Sequence, residues 1–374
     1  EWIIMQTELK ERKEYAAIGG QAVIEGVMMR SPHAFVVAVR TPEGKIRLRR
    51  DQWYGLTHKV PLLKKPFIRG VLVLIETMAN GIVSLNYSAN IALAEEQKKD
   101  ALKKGMDMGE YEKKRKGQEK VSWSTYISIA LSFIFGIGLF VFLPHAITAV
   151  IENLFGQAWG LQSFEFHAVD GVIKACIFLL YVMLIGLFPD VRRVFQYHGA
   201  EHKSISTFEA AESLLVENAQ KYPTFQPRCG TTFVFFLLFI SIILFSIVFA
   251  IFPIGKGLPV IAGHGVAIIC KILLTFPIAG IAYEFIKLMG KYGKTRFGQI
   301  ISYPGRLLQK LTTRLPDEKQ LEVALASIRA VLLLEEKYNL KEATQRVVAL
   351  DEIEIDNLTD LSESNLKLKD FLEL

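Results

Sequence analysis

Four apolar segments, each near the length of about 20 residues that a bilayer core requires, constrain the fold of this 374-residue chain most strongly. They cover about residues 124–143, 171–188, 231–252 and 260–286. Pro144, Pro189 and Pro253 follow the first three, where a helix is expected to end. A hydrophobic content of 51% and a positive mean hydropathy fit a membrane protein with soluble parts. The sequence therefore predicts a mainly α, polytopic helical membrane protein with four transmembrane helices.

A further apolar segment, residues 66–94, is long enough to span a bilayer but carries polar residues at roughly helical spacing, among them Arg69, Glu76 and Asn80. This pattern favours an amphipathic or re-entrant helix in the inner leaflet, although a full crossing would add one span. The charged run at 95–120 predicts a solvated linker.

The N-terminal region predicts a small cytoplasmic β-hairpin or sheet. Residues 34–51 contain a β-branched run, a Pro-Gly turn and an alternating return strand. Residues 16–33 hold several glycines, and a packed start to this sheet with a Glu25–Arg30 pair is favoured over a phosphate-binding loop.

The C-terminal region predicts cytoplasmic helices. Asp317 and Gln320 resemble a capping box, which begins a helix that runs to about Tyr338. A short second helix is expected around 340–350, followed by an acidic tail at 351–374 that is partly ordered at most.

These patterns divide the chain into five regions. They are a β-containing segment (1–65), an amphipathic or re-entrant helix region (66–94), a charged linker (95–120), a transmembrane domain (121–290) with a cytoplasmic loop at 189–230, and a C-terminal helical region with its tail (291–374).

The charges of the connecting loops predict the orientation. The connection at 144–170 has no Lys or Arg, whereas the connection at 189–230 is basic, as are the N-terminal region and the segment after 286. The positive-inside rule then places both termini and the 189–230 loop in the cytoplasm. The net charge of +6 is assigned to loop orientation and contact with the lipid bilayer, and no nucleic-acid partner is expected.

The stretch with the clearest chemistry is Tyr197 to Lys203, which contains His198, Glu201 and His202 in the order H-x-x-E-H. On one helix the two imidazoles lie four residues apart and point the same way, so they can bind one metal ion. The glutamate is then placed to act as a general base on water at that metal, as in inverted zincins. The alternative is an ordinary polar network at a membrane surface.

A catalytic zinc usually has three protein ligands, so a third is needed. Glu284 is favoured because it lies at the cytoplasmic end of the fourth predicted span, the same membrane face as His198. The alternative for Glu284 is an ion pair with a nearby lysine.

Three further candidates are weaker. Cys229 lies at the same face and is either a ligand, a nucleophile or a small buried residue. Glu25 depends on an uncertain fold. Glu209 would lie about 10 Å beyond His202 on a continuous helix, so it could share the metal only if the helix breaks.

Five motifs together resemble the bacterial YqhQ-like membrane family: GGQAVIEGVMMRSP, YHGAEHKSI, PRCGTTFVF, AYEFIKL and LTTRLPDEKQLEVAL. The resemblance extends from about Ile18 to Ala330. The family is described as predicted metal-dependent enzymes of otherwise unknown function. The resemblance implies a polytopic inner-membrane protein and supports His198, Glu201 and His202 as its metal centre.

Three functions fit the sequence. The first is a membrane-embedded hydrolase in which zinc on His198, His202 and Glu284 activates water and Glu201 takes its proton; a membrane protein segment or a lipid head group would be the substrate. The second is a non-enzymatic lipid-handling or transport protein with a structural or gating His/Glu cluster, in which Lys271, Glu284 and the polar helix at 66–94 line a path. The third is a membrane scaffold.

Overall fold

The computed structural model describes residues 18–53, 65–94, 102–103, 107, 123–156, 159–226, 229–292, 295–338, 340 and 350–361. Within these residues the protein is mainly helical, with one antiparallel sheet. Most of the predicted linker at 95–120 and of the short helix at 340–350 lies outside the described residues, as does the end of the acidic tail.

The sheet is a five-stranded antiparallel meander in which each strand pairs with the next one in sequence. Its strands are β1 (Gly19–Val23), β2 (Gly26–Arg30), β3 (Ala34–Arg40), β4 (Ile46–Gln52) and β5 (Asp351–Ile355). The hairpin predicted at 34–51 is confirmed as β3 and β4. The alternation along β4 places Ile46 and Leu48 on one buried face, as the period-2 pattern requires.

The edge strand β5 comes from the acidic tail. Arg47 and Arg50 of β4 pair with Glu354 and Asp351 of β5, so opposite charges meet across the two strands. The sheet is therefore completed by a segment that lies about 300 residues away in the sequence.

The α-helices within the described residues are numbered in chain order. They are α1 (Ile68–Ala92), α2 (Trp123–Ile137), α3 (Leu143–Leu154), α4 (Phe164–Ile185), α5 (Pro189–Glu209), α6 (Val216–Gln220), α7 (Gly230–Ile251), α8 (Val260–Tyr292), α9 (Arg296–Thr312) and α10 (Glu318–Lys337).

Among the described residues, five helical segments are long and apolar enough to cross a membrane. They are Ile68–Ala92, Tyr126–Leu154, Phe164–Ile185, Gly230–Ile251 and Val260–Leu288. Four of them correspond to the predicted spans, and the fifth is α1, which the sequence predicted as an amphipathic or re-entrant helix. Length and composition alone qualify α1 as a candidate span.

The expectation that Pro144 ends the first span is wrong. A π-helical turn, Gly138–Phe142, joins α2 to α3, and the helix continues to Leu154. Pro144 falls in the first turn of α3, where its missing N–H is tolerated, and the wider π turn before it changes the hydrogen-bond register. Pro253 does follow the end of α7, as predicted.

The main hydrophobic core lies between one face of the sheet and helices α5 and α10. Val36, Leu48, Tyr197 and Leu325 are fully buried there, and each such side chain contributes roughly 1.5–3 kcal/mol relative to an exposed one. Helix α10 begins with the predicted capping box, since Asp317 and Gln320 each accept the other's backbone N–H. The opposite face of the sheet packs against the end of α1. Helix α5 is thus held rigidly beside the sheet.

Candidate metal centre

The H-x-x-E-H motif lies on one continuous helix, α5, as predicted. Pro189 occupies the first turn of this helix and Asp190 adds a negative charge near its N-terminus, and both features favour a helix start. The rings of His198 and His202, one turn apart, have centroids 4.4 Å apart. The helix therefore presents two imidazoles side by side, within the stretch that is buried against the sheet and α10.

Each of the two imidazoles is fixed by a backbone carbonyl. Nδ1 of His198 lies 2.9 Å from the carbonyl oxygen of Thr312, and Nδ1 of His202 lies 2.7 Å from that of Thr224. A carbonyl can only accept, so both Nδ1 atoms carry the proton and the lone pair of each ring is on Nε2. Such partners orient metal-binding histidines in known metal sites.

Cys229 completes the cluster. Its Sγ lies 3.2 Å from Nε2 of His198, and one ligand atom from each of the three residues lies within 4.8 Å of the other two. Cys229 is also the N-cap of α7, where the sulfur accepts the N–H of Thr231 at 3.4 Å.

The three residues fit a zinc ion. Two imidazole nitrogens and one thiolate are the ligand types that zinc prefers, and three protein ligands leave a coordination position for water or substrate. Nε2 of His202 is buried without a hydrogen-bond partner among the described residues. A buried polar atom without a partner costs about 1–3 kcal/mol, and a metal ion at this place would remove that cost.

Gly199 allows the segment after α9 to approach the motif. A Cβ atom at this position would lie 2.1 Å from the carbonyl oxygen of Arg314, which is backbone and cannot move aside alone. The N–H of Arg314 also donates to the carbonyl of Phe195 at 2.9 Å. The glycine inside the motif is therefore what lets Thr312 reach His198.

Two buried polar side chains hold the loop that orients His202. The ammonium group of Lys203 donates to the carbonyls of Gln220, at 2.8 Å, and Tyr222. The side-chain amide of Gln309 on α9 bonds both the N–H and the carbonyl of Gln226, at 3.0 and 2.7 Å. The loop between α6 and α7 is thus fixed on both sides of Thr224.

Glu201 is buried next to the cluster. Burial raises the pKa of its carboxyl group to about 7, although His198 and the backbone N–H of Gly20 lower it in part. Gly20 has room for this contact because it lacks a Cβ atom, which would lie 2.9 Å from the Glu201 carboxyl carbon. Oε2 of Glu201 has no hydrogen-bond partner among the described residues. The carboxyl group can therefore bind and release a proton near neutral pH.

The structure does not bring Glu284, the predicted third ligand, into the cluster. Its carboxylate is held by Arg69 of α1, whose Nε lies 2.7 Å from Oε1 and whose Nη2 donates to Oε2. The cluster of potential ligands found among the described residues contains Cys229 in place of Glu284. Among the described residues, Glu284 forms its ion pair with Arg69.

Glu25 and Glu209 also lie outside the cluster. Glu25 sits in the turn between β1 and β2 and accepts hydrogen bonds from Arg193, at 2.6 Å, and from the Tyr197 hydroxyl, at 3.3 Å. The expected pairing of Glu25 with Arg30 is wrong, because Arg30 is at the far end of β2 and stacks on Trp53. Glu209 is exposed at the end of α5, which does not break at Gly199.

Sequence reasoning missed the backbone carbonyls of Thr224 and Thr312, since no residue type marks an orienting carbonyl. The glycine in the motif was a usable signal, because a glycine inside a helix marks a place where another chain segment can approach closely. Arg314, which approaches Gly199, follows Thr312 by two residues.

Comparisons with known proteins identify relatives without a described activity. The profile of a family described as "Protein of unknown function (DUF1385)" matches residues 65–334, a range that includes the cluster. "Uncharacterized protein YqhQ" of Bacillus subtilis (strain 168) is 31% identical over 336 residues, which cover 87% of this chain and 96% of the relative. No solved structure matches the chain significantly.

Proposed function

Since the chain belongs to the DUF1385 family, whose members are described as proteins of unknown function, we propose its function from its own metal centre. It is a zinc-dependent hydrolase that acts at a membrane surface. One observation carries the proposal: one ligand atom each of His198, His202 and Cys229 lie within 4.8 Å of one another, while both Nδ1 atoms are hydrogen-bonded to backbone carbonyls.

His198, His202 and Cys229 would hold the metal. A zinc ion in such a site is a Lewis acid, which polarises a carbonyl or phosphoryl oxygen and makes water nucleophilic at neutral pH. The protein contributes fixed ligand orientations, since the carbonyls of Thr312 and Thr224 prevent the two rings from turning.

Glu201 acts as the general base in this proposal. Its carboxyl group has a pKa near 7, which is close to the optimum for a group that must both accept and return a proton at neutral pH. It accepts the proton of the attacking water and returns it to the leaving group. The N–H of Gly20 keeps the carboxylate in place during both transfers.

The substrate is a lipid head group or a segment of a membrane protein. Cys229 caps α7, and α5 begins a few residues after α4, so the centre adjoins the ends of two candidate spans. Helix α9, which carries Thr312, exposes the apolar side chains of Phe297, Ile300 and Leu307. An amphipathic helix with an exposed apolar face suits the membrane interface. We place this face in the cytoplasm, following the charges of the loops.

The test uses the full chain in lipid nanodiscs, loaded with zinc, and two probes: a fluorogenic phospholipid ester and a quenched fluorogenic transmembrane peptide. We expect zinc-dependent hydrolysis of at least one probe. Glu201→Gln should lower the rate by about 10²–10⁴-fold, the usual contribution of a general base, while zinc stays bound. His202→Ala should lower both the rate and the zinc content.

Lys203→Met serves as the matched control for burial and position, since it disturbs the neighbouring loop without removing a ligand or the base. Glu209→Gln is the second control, because it replaces a carboxylate on the same helix outside the cluster, and it should retain nearly all of the activity. Lys203→Met should retain a larger share of activity than Glu201→Gln. Equal rates for Glu201→Gln and the unmodified protein would contradict the proposal, and so would the absence of hydrolysis of both probes.

A second candidate function, transport or lipid handling, is favoured by a separate observation. Lys271 and Asp170 are both 1% exposed and form an ion pair inside the helix bundle. Ionisable residues within membrane-spanning helices commonly serve ion or proton pathways.

A further inference from the structure

A second group of ionisable side chains lies inside the bundle, away from the metal centre. We call it the lysine network; its members are His145 of α3, Asp170 and Lys174 of α4, and His264 and Lys271 of α8. His145, Asp170 and Lys271 are each 2% exposed or less. His264 is only half-buried. The network therefore leads from a fully buried ion pair to the outside of the bundle.

Direct contacts connect its members in one order. Nζ of Lys271 lies 2.9 Å from Oδ2 of Asp170 and 3.1 Å from Nδ1 of His145. Nε2 of His145 lies 2.9 Å from Nδ1 of His264. No gap in this sequence of contacts exceeds a hydrogen bond, so a proton can cross each of them without any other group moving in.

The donors determine the direction of the hydrogen bonds. An ammonium group can only donate, so Nδ1 of His145 accepts from Lys271 and the His145 proton is on Nε2. His145 then donates to Nδ1 of His264, whose own proton is on Nε2 at the half-buried end. From Lys271 to His145 and from His145 to His264, the donor of each hydrogen bond is therefore the group nearer to Lys271.

The charges of the network favour the loss of one proton. Its two lysines face one carboxylate, since Lys174 lies 3.6 Å from Asp170, which leaves one positive charge in excess. The rings of Phe166 and Phe245 cover Lys271 at 5.5 and 5.6 Å. An uncompensated charge in apolar surroundings is costly, although aromatic faces offset part of the cost.

The remaining titratable neighbour is His167 of α4. Its Nε2 lies 2.9 Å from the carbonyl of Leu161, so it does not take part in the chain of contacts to Lys271. His167 also packs against Phe249 of α7. It is as buried as His145 and therefore offers a matched control.

The lysine network is remote from the metal centre. Phe245, which covers Lys271, is on α7, the helix that Cys229 caps. At a rise of 1.5 Å per residue the two positions are about 24 Å apart along the helix axis. The two sites lie toward opposite ends of the same helix.

We propose that the lysine network is a proton relay, in which Lys271 exchanges protons with water outside the bundle through the imidazoles of His145 and His264. Its ligand is the proton, and no other molecule has to enter. The relay is independent of the proposed hydrolase.

The outward transfer is balanced as follows. Nε2 of His264 releases its proton to water while its Nδ1 takes the proton from Nε2 of His145. Nδ1 of His145 takes a proton from Nζ of Lys271, which becomes a neutral amine beside Asp170. One proton leaves, each imidazole ends as the opposite neutral tautomer, and inward transfer reverses every step.

The test measures hydrogen–deuterium exchange at Nζ of Lys271 by solid-state NMR on the full chain in lipid bilayers, with ¹⁵N-labelled lysine and histidine. Lys271→Arg identifies the signal. The unmodified protein should show His145 protonated on Nε2. His264→Gln and His145→Gln should each slow the exchange at Lys271 about tenfold or more, because an amide can hydrogen-bond but does not pass a proton on.

His167→Gln should leave the exchange at Lys271 unchanged. The relay is overturned if both glutamine variants in the chain exchange as fast as the unmodified protein. It is equally overturned if His167→Gln slows the exchange to the same extent, or if His145 carries its proton on Nδ1 while Lys271 is an ammonium group. His264 is half-buried, so its variant remains informative even if His145→Gln does not fold.

Discussion

On α5, Nδ1 of His198 and Nδ1 of His202 are each hydrogen-bonded to a backbone carbonyl, which leaves Nε2 of each ring to bind a ligand. On α3, by contrast, both ring nitrogens of His145 are hydrogen-bonded to side chains. His198 and His202 lie beside Cys229, whereas His145 lies between Lys271 and His264. The same residue type therefore supports a proposed metal site in one region and a proposed proton relay in the other.

The difference has a structural cause. Helix α5 is packed between the sheet and α10, and two other segments bring backbone carbonyls to its surface: the end of α9 with Thr312 and the loop with Thr224. Helices α3, α4 and α8 satisfy their own carbonyls internally over most of their length, as segments suited to a bilayer must. Polar side chains within those helices find mainly one another as partners.

The largest effect should come from removing one histidine from each of the two clusters and comparing the zinc content. His202→Ala removes a ligand, so zinc should fall from about one equivalent per chain to nearly none after dialysis. His145→Ala should leave the zinc content unchanged, because neither of its ring nitrogens is free. Elemental analysis of the purified full chain measures both. Equal loss of zinc in the two variants would remove the distinction between the clusters.

The next effect concerns the backbone approach at Gly199. Gly199→Ala would displace the segment that carries Thr312 and Arg314, so we expect zinc affinity to fall about 10–100-fold, as for other residues that orient ligands. Gly136→Ala is the control, because a Cβ atom there meets nothing within 4 Å. Competition with a fluorescent zinc chelator gives the affinities. Unchanged affinity in Gly199→Ala would show that the carbonyl of Thr312 is not needed.

A smaller effect should follow from loosening the loop that carries Thr224. Gln309→Leu keeps the size of the side chain but removes its bonds to Gln226, and we expect about tenfold weaker zinc binding. Ser302→Ala on the same helix is the control, since its hydroxyl bonds only its own helix. An affinity in Gln309→Leu equal to that in Ser302→Ala would mean that the loop needs no anchor.

The smallest effect should come from the contact between α1 and α8. Arg69→Met breaks the pair with Glu284, which is partly exposed, so unfolding should become easier by only about 1 kcal/mol and zinc should stay bound. A thermal shift of the detergent-solubilised chain, with metal analysis of the same sample, measures both quantities. Loss of zinc in this variant would connect Glu284 to the metal after all.

Much of the local structure was predictable, because it depends on short-range patterns. The α5 helix follows from the spacing of its motif, the β3–β4 hairpin from its alternation, and the start of α10 from Asp317 and Gln320. The strand β5 was not predicted, because its partner β4 is about 300 residues away and charge pairing across that distance leaves no local pattern.

The predicted third ligand, Glu284, illustrates what the sequence could not show about the site. Glu284 and Cys229 were both expected at the same membrane face. Sequence spacing does not show that Glu284 is hydrogen-bonded to Arg69 instead. The lysine network was missed, apart from Lys271, because its members come from three helices that are distant in the sequence. The positions of His167, Asp170 and Lys174, three and four residues apart on one helical face, were the signal that could have indicated it.

The most direct test of the account compares Cys229→Ser with Glu284→Gln by zinc competition on the full chain. The account predicts that Cys229→Ser lowers zinc affinity by about 100-fold or more, since a thiolate ligand is lost, and that Glu284→Gln leaves the affinity unchanged. The opposite pattern, with zinc retained in Cys229→Ser and lost in Glu284→Gln, would contradict it.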